Sequence, residues 1–247
     1  MTSTVNLVAV RHAVAPADKQ HRFGHGKAQA LGALIQSFII ALSGLFLLKE
    51  SVVRFFNPKP LHEIGWGIAV MILAIIVTAF LLSFQRFVIK KTNSLSIKAD
   101  MAHYTGDILM NVGVVVSMLI TTFFDCLWID AAFGIGVSFY LFYAAYGVIK
   151  EAVSMLMDTE LPACVECFIR KTVFSFPEIK SMSDLKTRSS GEYMFIQFSI
   201  QLPPETTLKS AHDLTELIEI LLKKEYAQAQ IIIHTEPFLE KDNDSTI

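Results

Sequence analysis

The stretch "ADMAHYTGDILMN", Ala99 to Asn111, places Asp100, His103 and Asp107 directly ahead of the apolar run "VGVVVSMLITTFF". At about 100° per residue, the three side chains project within roughly 60° of one another on a helix. They form one polar stripe on a segment that otherwise suits lipid. Ionisable groups inside a bilayer are costly, and they line ion paths or pair with each other. Imidazole nitrogen beside carboxylate oxygen suits Zn²⁺ and similar divalent metals. Neutral imidazole is a ligand and imidazolium is not, so metal and protons compete for such a site. Two ligands are too few for a transport site, which wants four. The same residues also fit a simpler role, a buried His–Asp pair or hydrogen bond that joins helices.

A second group lies in "PADKQHRFGHGKAQA", where Asp18, His21 and His25 fall within 8 residues. Gly24 and Gly26 let the backbone turn so that both imidazoles face one ion. A solvated juxtamembrane loop is the alternative. A third group is His212, His234 and Glu236, with the last two on one face of a strand by period two; side chains that merely face water explain it equally well. Cys164 and Cys167 form a lone C-x-x-C, read as packing residues or as a weak metal or redox pair. His12 and His62 have no evident partners.

The elements that must carry these residues follow from composition. The 247 residues are 53% hydrophobic and only 18% charged, with a mean hydropathy of +0.48. That is too apolar for an ordinary soluble domain. The net charge of -2 gives no pull toward nucleic acid. With 3 cysteines no disulfide framework is expected, and the N-terminus has no signal-peptide pattern. Four stretches reach the roughly 20 apolar residues that a span needs: Ala28–Leu48, Ile64–Phe84, Met101–Phe124 and Trp128–Val148. In hydrocarbon their backbones must pair internally, so they are helices. Gly134 and Gly136 are expected to admit close helix approach. Arg11, Lys19, Arg22 and Lys27 precede the first span, and Arg86, Lys90, Lys91 and Lys98 fall between the second and third. The first outer loop carries Lys49, Arg54 and Lys59. On balance the positive-inside rule puts both termini in the cytoplasm.

From about Asp158 the sequence turns soluble. "LPACVECFIRKTVFSF" reads as a helix, and "IKSMSDLKTRSSGEYMFIQFSIQL" as two strands about a Ser-Ser-Gly turn. "TTLKSAHDLTELIEILLKKEY" has helical apolar spacing, and "AQIIIHTEP" is a last short strand. This order suits a small α+β domain with its helices on one face of a sheet. The tail "LEKDNDSTI" is expected to be disordered.

"FGHGKAQALGAL", "SFQRFVIKKTNSLSIKADMAHYTGDILMN" and "SMLMDTELP", followed by the αββαβ segment, resemble the cation diffusion facilitator family. The bacterial ferrous-iron and zinc efflux branch is the nearest look, over about Asn6 to Pro237. The resemblance implies an α-helical membrane bundle, with four full spans here where the family has six. It also implies a small cytoplasmic metallochaperone-like domain. The divisions would be 1–27, the end of a family helix and a loop; 28–157, the membrane domain; 158–238, the cytoplasmic domain; and 239–247, the tail. It implies a homodimer in the inner membrane that exports divalent cations of the zinc, iron or cadmium type in exchange for protons. His103 and Asp107 match half of the family's transport site. Its other half, two aspartates of an earlier span, has no match, so an N-terminal truncation is expected. Asp18, His21 and His25 match the interfacial loop site. Lys27 and Asp158 match a charge interlock at the dimer contact. His212 and His234 match ligands of the cytoplasmic site, Glu236 stands for an aspartate, and Ser183 and Ser199 stand where the branch has histidines. The alternative is a non-transporting remnant that senses metal or dimerises. A zinc enzyme is disfavoured, because no H-E-x-x-H motif, nucleophile elbow or phosphate loop is present. No cofactor is expected beyond the divalent metal itself.

Overall fold

The computed structural model describes residues 2–58, 65–124 and 128–239. Cys126, His62, Lys59 and most of the tail lie outside them. The chain forms two compact units, Met1–Leu156 and Met157–Ile247.

The first unit holds α1 (Thr2–Ala13), α2 (Ala28–Phe56), α3 (Gly65–Thr92), α4 (Leu95–Phe124) and α5 (Ile129–Leu156). Helices α2 to α5 are each long and apolar enough to cross a membrane. Burial here runs opposite to that of a soluble protein. Phe38, Phe46, Ile76, Val77, Phe80 and Tyr143 face outward, while Gln29, Gln36, Ser37, Ser96, Ser117 and Ser138 are inside. Lipid solvates the large apolar groups, and the interior is left to small residues and polar groups that find partners. Thus Ser37 and Ser138 donate to the carbonyls of Ala33 and Gly134, at 2.7 and 2.8 Å.

The helices run longer than the spans read from hydropathy. At 1.5 Å per residue, 29 residues make about 43 Å, beyond the roughly 30 Å hydrocarbon core. The basic residues assigned to loops therefore lie on helix ends: Lys49 and Arg54 on α2, Arg86, Lys90 and Lys91 on α3, and Lys98 on α4. Only Asn93 and Ser94 separate α3 from α4. Asn93 makes this possible by adopting φ 49° while its amide donates to the Ile89 carbonyl at 2.8 Å. Asparagine tolerates this left-handed cap better than most residues. Because α4 starts at Leu95, Asp100 sits inside the helix rather than at its mouth.

Close approach uses one of the two glycines expected. A Cβ at Gly134 on α5 would lie 2.1 Å from Ser51 Oγ on α2, whereas one at Gly136 would meet nothing within 4 Å. Gly32 is a further contact, with Ala9 Cβ of α1 at 2.4 Å from the Cβ position.

The second unit is α6 (Ala163–Val173), β1 (Ser181–Ser190), β2 (Tyr193–Leu202), α7 (Leu208–Glu225) and β3 (Ala229–Pro237). The sheet order is β1-β2-β3, with β1 antiparallel and β3 parallel to β2. Alternation along β2 sends Ile196, Phe198, Ile200 and Leu202 toward Val165, Ile169 and Val173 of α6 and Ile218 and Leu222 of α7. Both helices cover this one face. The β1–β2 turn uses Gly191 at φ 65°. Thr207 caps α7, its side chain accepting from the Ser210 amide at 3.2 Å.

Candidate functional site

On α4, His103 Nε2 lies 3.8 Å from Asp107 Oδ2, one helical turn away. The imidazole is half-buried and the carboxylate is exposed on the flank of the span. One turn earlier, Asp100 accepts from Gln85 Nε2 of α3 at 2.8 Å and from Gln36 Nε2 of α2 at 3.2 Å. The polar stripe thus divides. His103 pairs with Asp107 along α4, and Asp100 is engaged by two neighbouring helices. Sequence reading passed over the glutamines, although two amides in apolar spans are costly without partners.

The loop before α2 brings together three side chains of metal-binding type. Ligand atoms of Asp18, His21 and His25 all lie within 4.8 Å of one another. Asp18 Oδ1 accepts from the amides of Gln20 and His21 at 2.8 and 2.6 Å. Its Oδ2 lies 3.5 Å from His21 Nδ1 and 3.5 Å from His25 Nε2. The imidazole centroids are 4.5 Å apart. Gly24 takes φ 78° and its amide donates to the His21 carbonyl at 3.0 Å, which folds His25 back over Asp18. The His21 amide holds the Asp18 carboxyl below its usual range, against a smaller opposing effect of burial. His25 Nδ1 is buried without a hydrogen-bond partner. One carboxylate and two imidazoles fit a divalent transition metal.

In the second unit, His234 Nε2 lies 3.6 Å from Glu236 Oε1 on the uncovered face of the sheet. His212 is on α7, which packs against the opposite face, and it does not join them. Among the described residues only the loop group gathers three metal-binding side chains. The register sets Ser183 opposite Ser199 and Ser199 opposite His234, a row across the sheet. Cys164 and Cys167 are free and exposed. Lys27 Nζ donates to the Leu156 carbonyl at 3.4 Å. Within the second unit, Asp158 accepts from Arg188 at 3.2 and 3.3 Å. Asp130, in the first turn of α5, meets Arg54 Nη1 and Ser117 Oγ, both at 3.4 Å.

Four membrane-capable helices carrying a His–carboxylate pair, and a small α+β domain, define a membrane protein equipped to handle cations. Residues 1–157 match the cation efflux transmembrane domain family. Residues 162–238 match the cytoplasmic domain of cation efflux proteins. The cation-efflux pump FieF of Salmonella arizonae is 38% identical over 235 residues, covering 95% of this chain and 78% of that relative. FieF of Salmonella schwarzengrund gives the same figures. A solved structure of CzrB, described as a candidate zinc transporter, is 26% identical with a TM-score of 0.29, covering 32% of this chain and 99% of that one. The chain belongs to the cation diffusion facilitator family. It is a membrane cation efflux transporter and not an enzyme.

Proposed function

We propose that this chain exports a divalent cation of the zinc, iron or cadmium type from the cytoplasm in exchange for protons. The observation that carries the reading is the His103–Asp107 pair inside a span, 3.8 Å apart. Neutral His103 and ionised Asp107 offer one nitrogen and one oxygen to the metal. Further ligands must come from another helix or from water, on the flank where Asp107 is exposed. Protonation turns His103 into a cation that repels the metal. When the bundle rocks to face the other side, protons replace the metal and return with the pair. Asp18, His21 and His25 form a second, loop-borne site beside the start of α2. Family resemblance supports a homodimer of the inner membrane with both termini cytoplasmic, and Lys27 and Asp158 as its charge interlock. It also supports His212, His234 and Glu236 as remnants of a cytoplasmic-domain site. His234 and Glu236 share a face, while His212 would have to meet its partners across the dimer.

The test is flux. In proteoliposomes with an imposed proton gradient, His103→Ala should cut Zn²⁺ flux at least a hundredfold, about 2.7 kcal/mol. The same assay with Fe²⁺, Cd²⁺, Mn²⁺ and Co²⁺ ranks the cargo. Undiminished flux in His103→Ala would remove the pair from the transport site.

A further inference from the structure

The outward face of α3 ends in three cations that the transport steps above do not use. Residues 68–85 of α3 carry no charge and rise about 27 Å, close to the depth of the hydrocarbon core. Arg86, Lys90 and Lys91 follow, all exposed. Arg86 therefore stands at the hydrocarbon edge, and the two lysines lie about 6–8 Å further out, within the headgroup layer. Helix α3 contains no acidic residue. Among the described residues none of the three cations is in an ion pair, whereas Arg54 of α2 and Lys98 of α4 each meet a carboxylate.

An aromatic track leads to these cations. Phe80, Phe84 and Phe87 are exposed, and at about 100° per residue they project with Lys91 within roughly 60° of one another. The Lys91 ammonium lies 4.6 Å from the centroid of the Phe87 ring, which holds it at the end of the track. Arg86 and Lys90, one turn apart, lie on the adjoining flank. A face that is aromatic through the leaflet and cationic at its edge is complementary to a molecule with hydrocarbon chains and an anionic head. A second copy of the chain does not fit, because a twofold contact through this face would set the same cations against one another.

We propose that this face of α3 binds an anionic glycerophospholipid from the leaflet on the side of the α3–α4 turn. Its phosphodiester lies among Arg86, Lys90 and Lys91, and an acyl chain follows Phe87, Phe84 and Phe80. The Arg86 guanidinium presents paired N–H donors to phosphate oxygens, while the lysines act as point charges. A soluble anion would meet the cations alone, and the aromatic track is what favours the lipid. The site needs only that α3 spans the membrane, so it stands apart from the choice of cargo and from proton exchange.

Native mass spectrometry of the purified full-length protein, titrated in detergent with dioleoyl phosphatidylglycerol or dioleoyl phosphatidylcholine, tests it. The first phosphatidylglycerol should bind about tenfold more tightly than the first phosphatidylcholine. Arg86→Gln, Lys90→Gln and Lys91→Gln together should erase that preference, and Arg86→Lys, Lys90→Arg and Lys91→Arg together should keep it. Lys150→Gln, Lys171→Gln and Lys224→Gln together, which remove as much charge elsewhere, should leave it intact. All six positions are exposed, and an unchanged melting temperature checks that each variant keeps its fold. Equal binding of the two lipids by the unaltered chain overturns the proposal. So does a preference that survives the first variant, or one that is lost in the variant altered elsewhere.

Discussion

At the scale of the residue, Asp18 does two separable things. One carboxylate oxygen accepts two backbone amides and shapes the loop, the other lies 3.5 Å from His25 Nε2, and His21 Nδ1 sits almost evenly between them at 3.4 and 3.5 Å. Asp18→Asn keeps an oxygen for the amides but removes the charge, whereas Asp18→Ala removes both. Asp18→Asn should therefore leave the Gln20 and His21 amides protected from hydrogen exchange while lowering Zn²⁺ affinity at the loop at least tenfold. Asp18→Ala should lose the protection as well. The carboxyl is held below its usual range in the folded loop, chiefly by the His21 amide. Its contribution is thus fully present above the ordinary carboxylate value and lost only as pH falls through the lowered one. At pH 5 the Gln20 and His21 amides should stay protected from exchange. Loss of protection at pH 5 would mean that Asp18 does not organise the loop.

At the scale of the element, helix contacts depend on where small residues fall as well as on how many there are. Gly134 lets α5 approach Ser51 of α2, with 2.1 Å from its Cβ position to the hydroxyl, and Gly136 has open space. Gly134→Ala should destabilise the bundle by about 1–3 kcal/mol through overpacking, read as a lower melting temperature in detergent. Gly136→Ala should change little, and equal shifts in the two variants would refute the α2–α5 packing. This pair marks a limit of the sequence. Hydropathy reveals four spans because length and apolarity are composition, but which glycine faces a neighbour is set by helix rotation. The same holds for Asp100. Its stripe was legible from helical periodicity, whereas its partners Gln36 and Gln85 are separated from it by 64 and 15 residues and only tertiary packing brings them together. The clustering of Asp18, His21 and His25 was legible because the three are local in sequence and Gly24 signals the turn. Helix ends were misjudged because basic residues continue a helix past the hydrocarbon as readily as they begin a loop.

At the scale of the whole molecule, the two units follow opposite solvent rules, and the second can be interrogated for metal on its own core. Its helices bury one face of the sheet and leave His234 and Glu236 on the other. Strands in a sheet lie about 4.8 Å apart, so residues in register on adjacent strands are near enough to share an ion. Ser183, Ser199 and His234 are in such a row, yet the two serines offer only neutral hydroxyls, which are poor zinc ligands. The weak link is therefore ligand type rather than architecture. Replacing both serines, Ser183→His and Ser199→His, should raise the Zn²⁺ affinity of this unit at least tenfold, about 1.4 kcal/mol, by isothermal titration in full-length protein already carrying His21→Ala and His103→Ala. Ser199 is largely buried at 8% exposure, so Ser183→His alone, at an exposed position, should give a smaller gain in the same direction. No gain from either change would mean that the row does not present its side chains to a common ion, and that His234 and Glu236 simply face water.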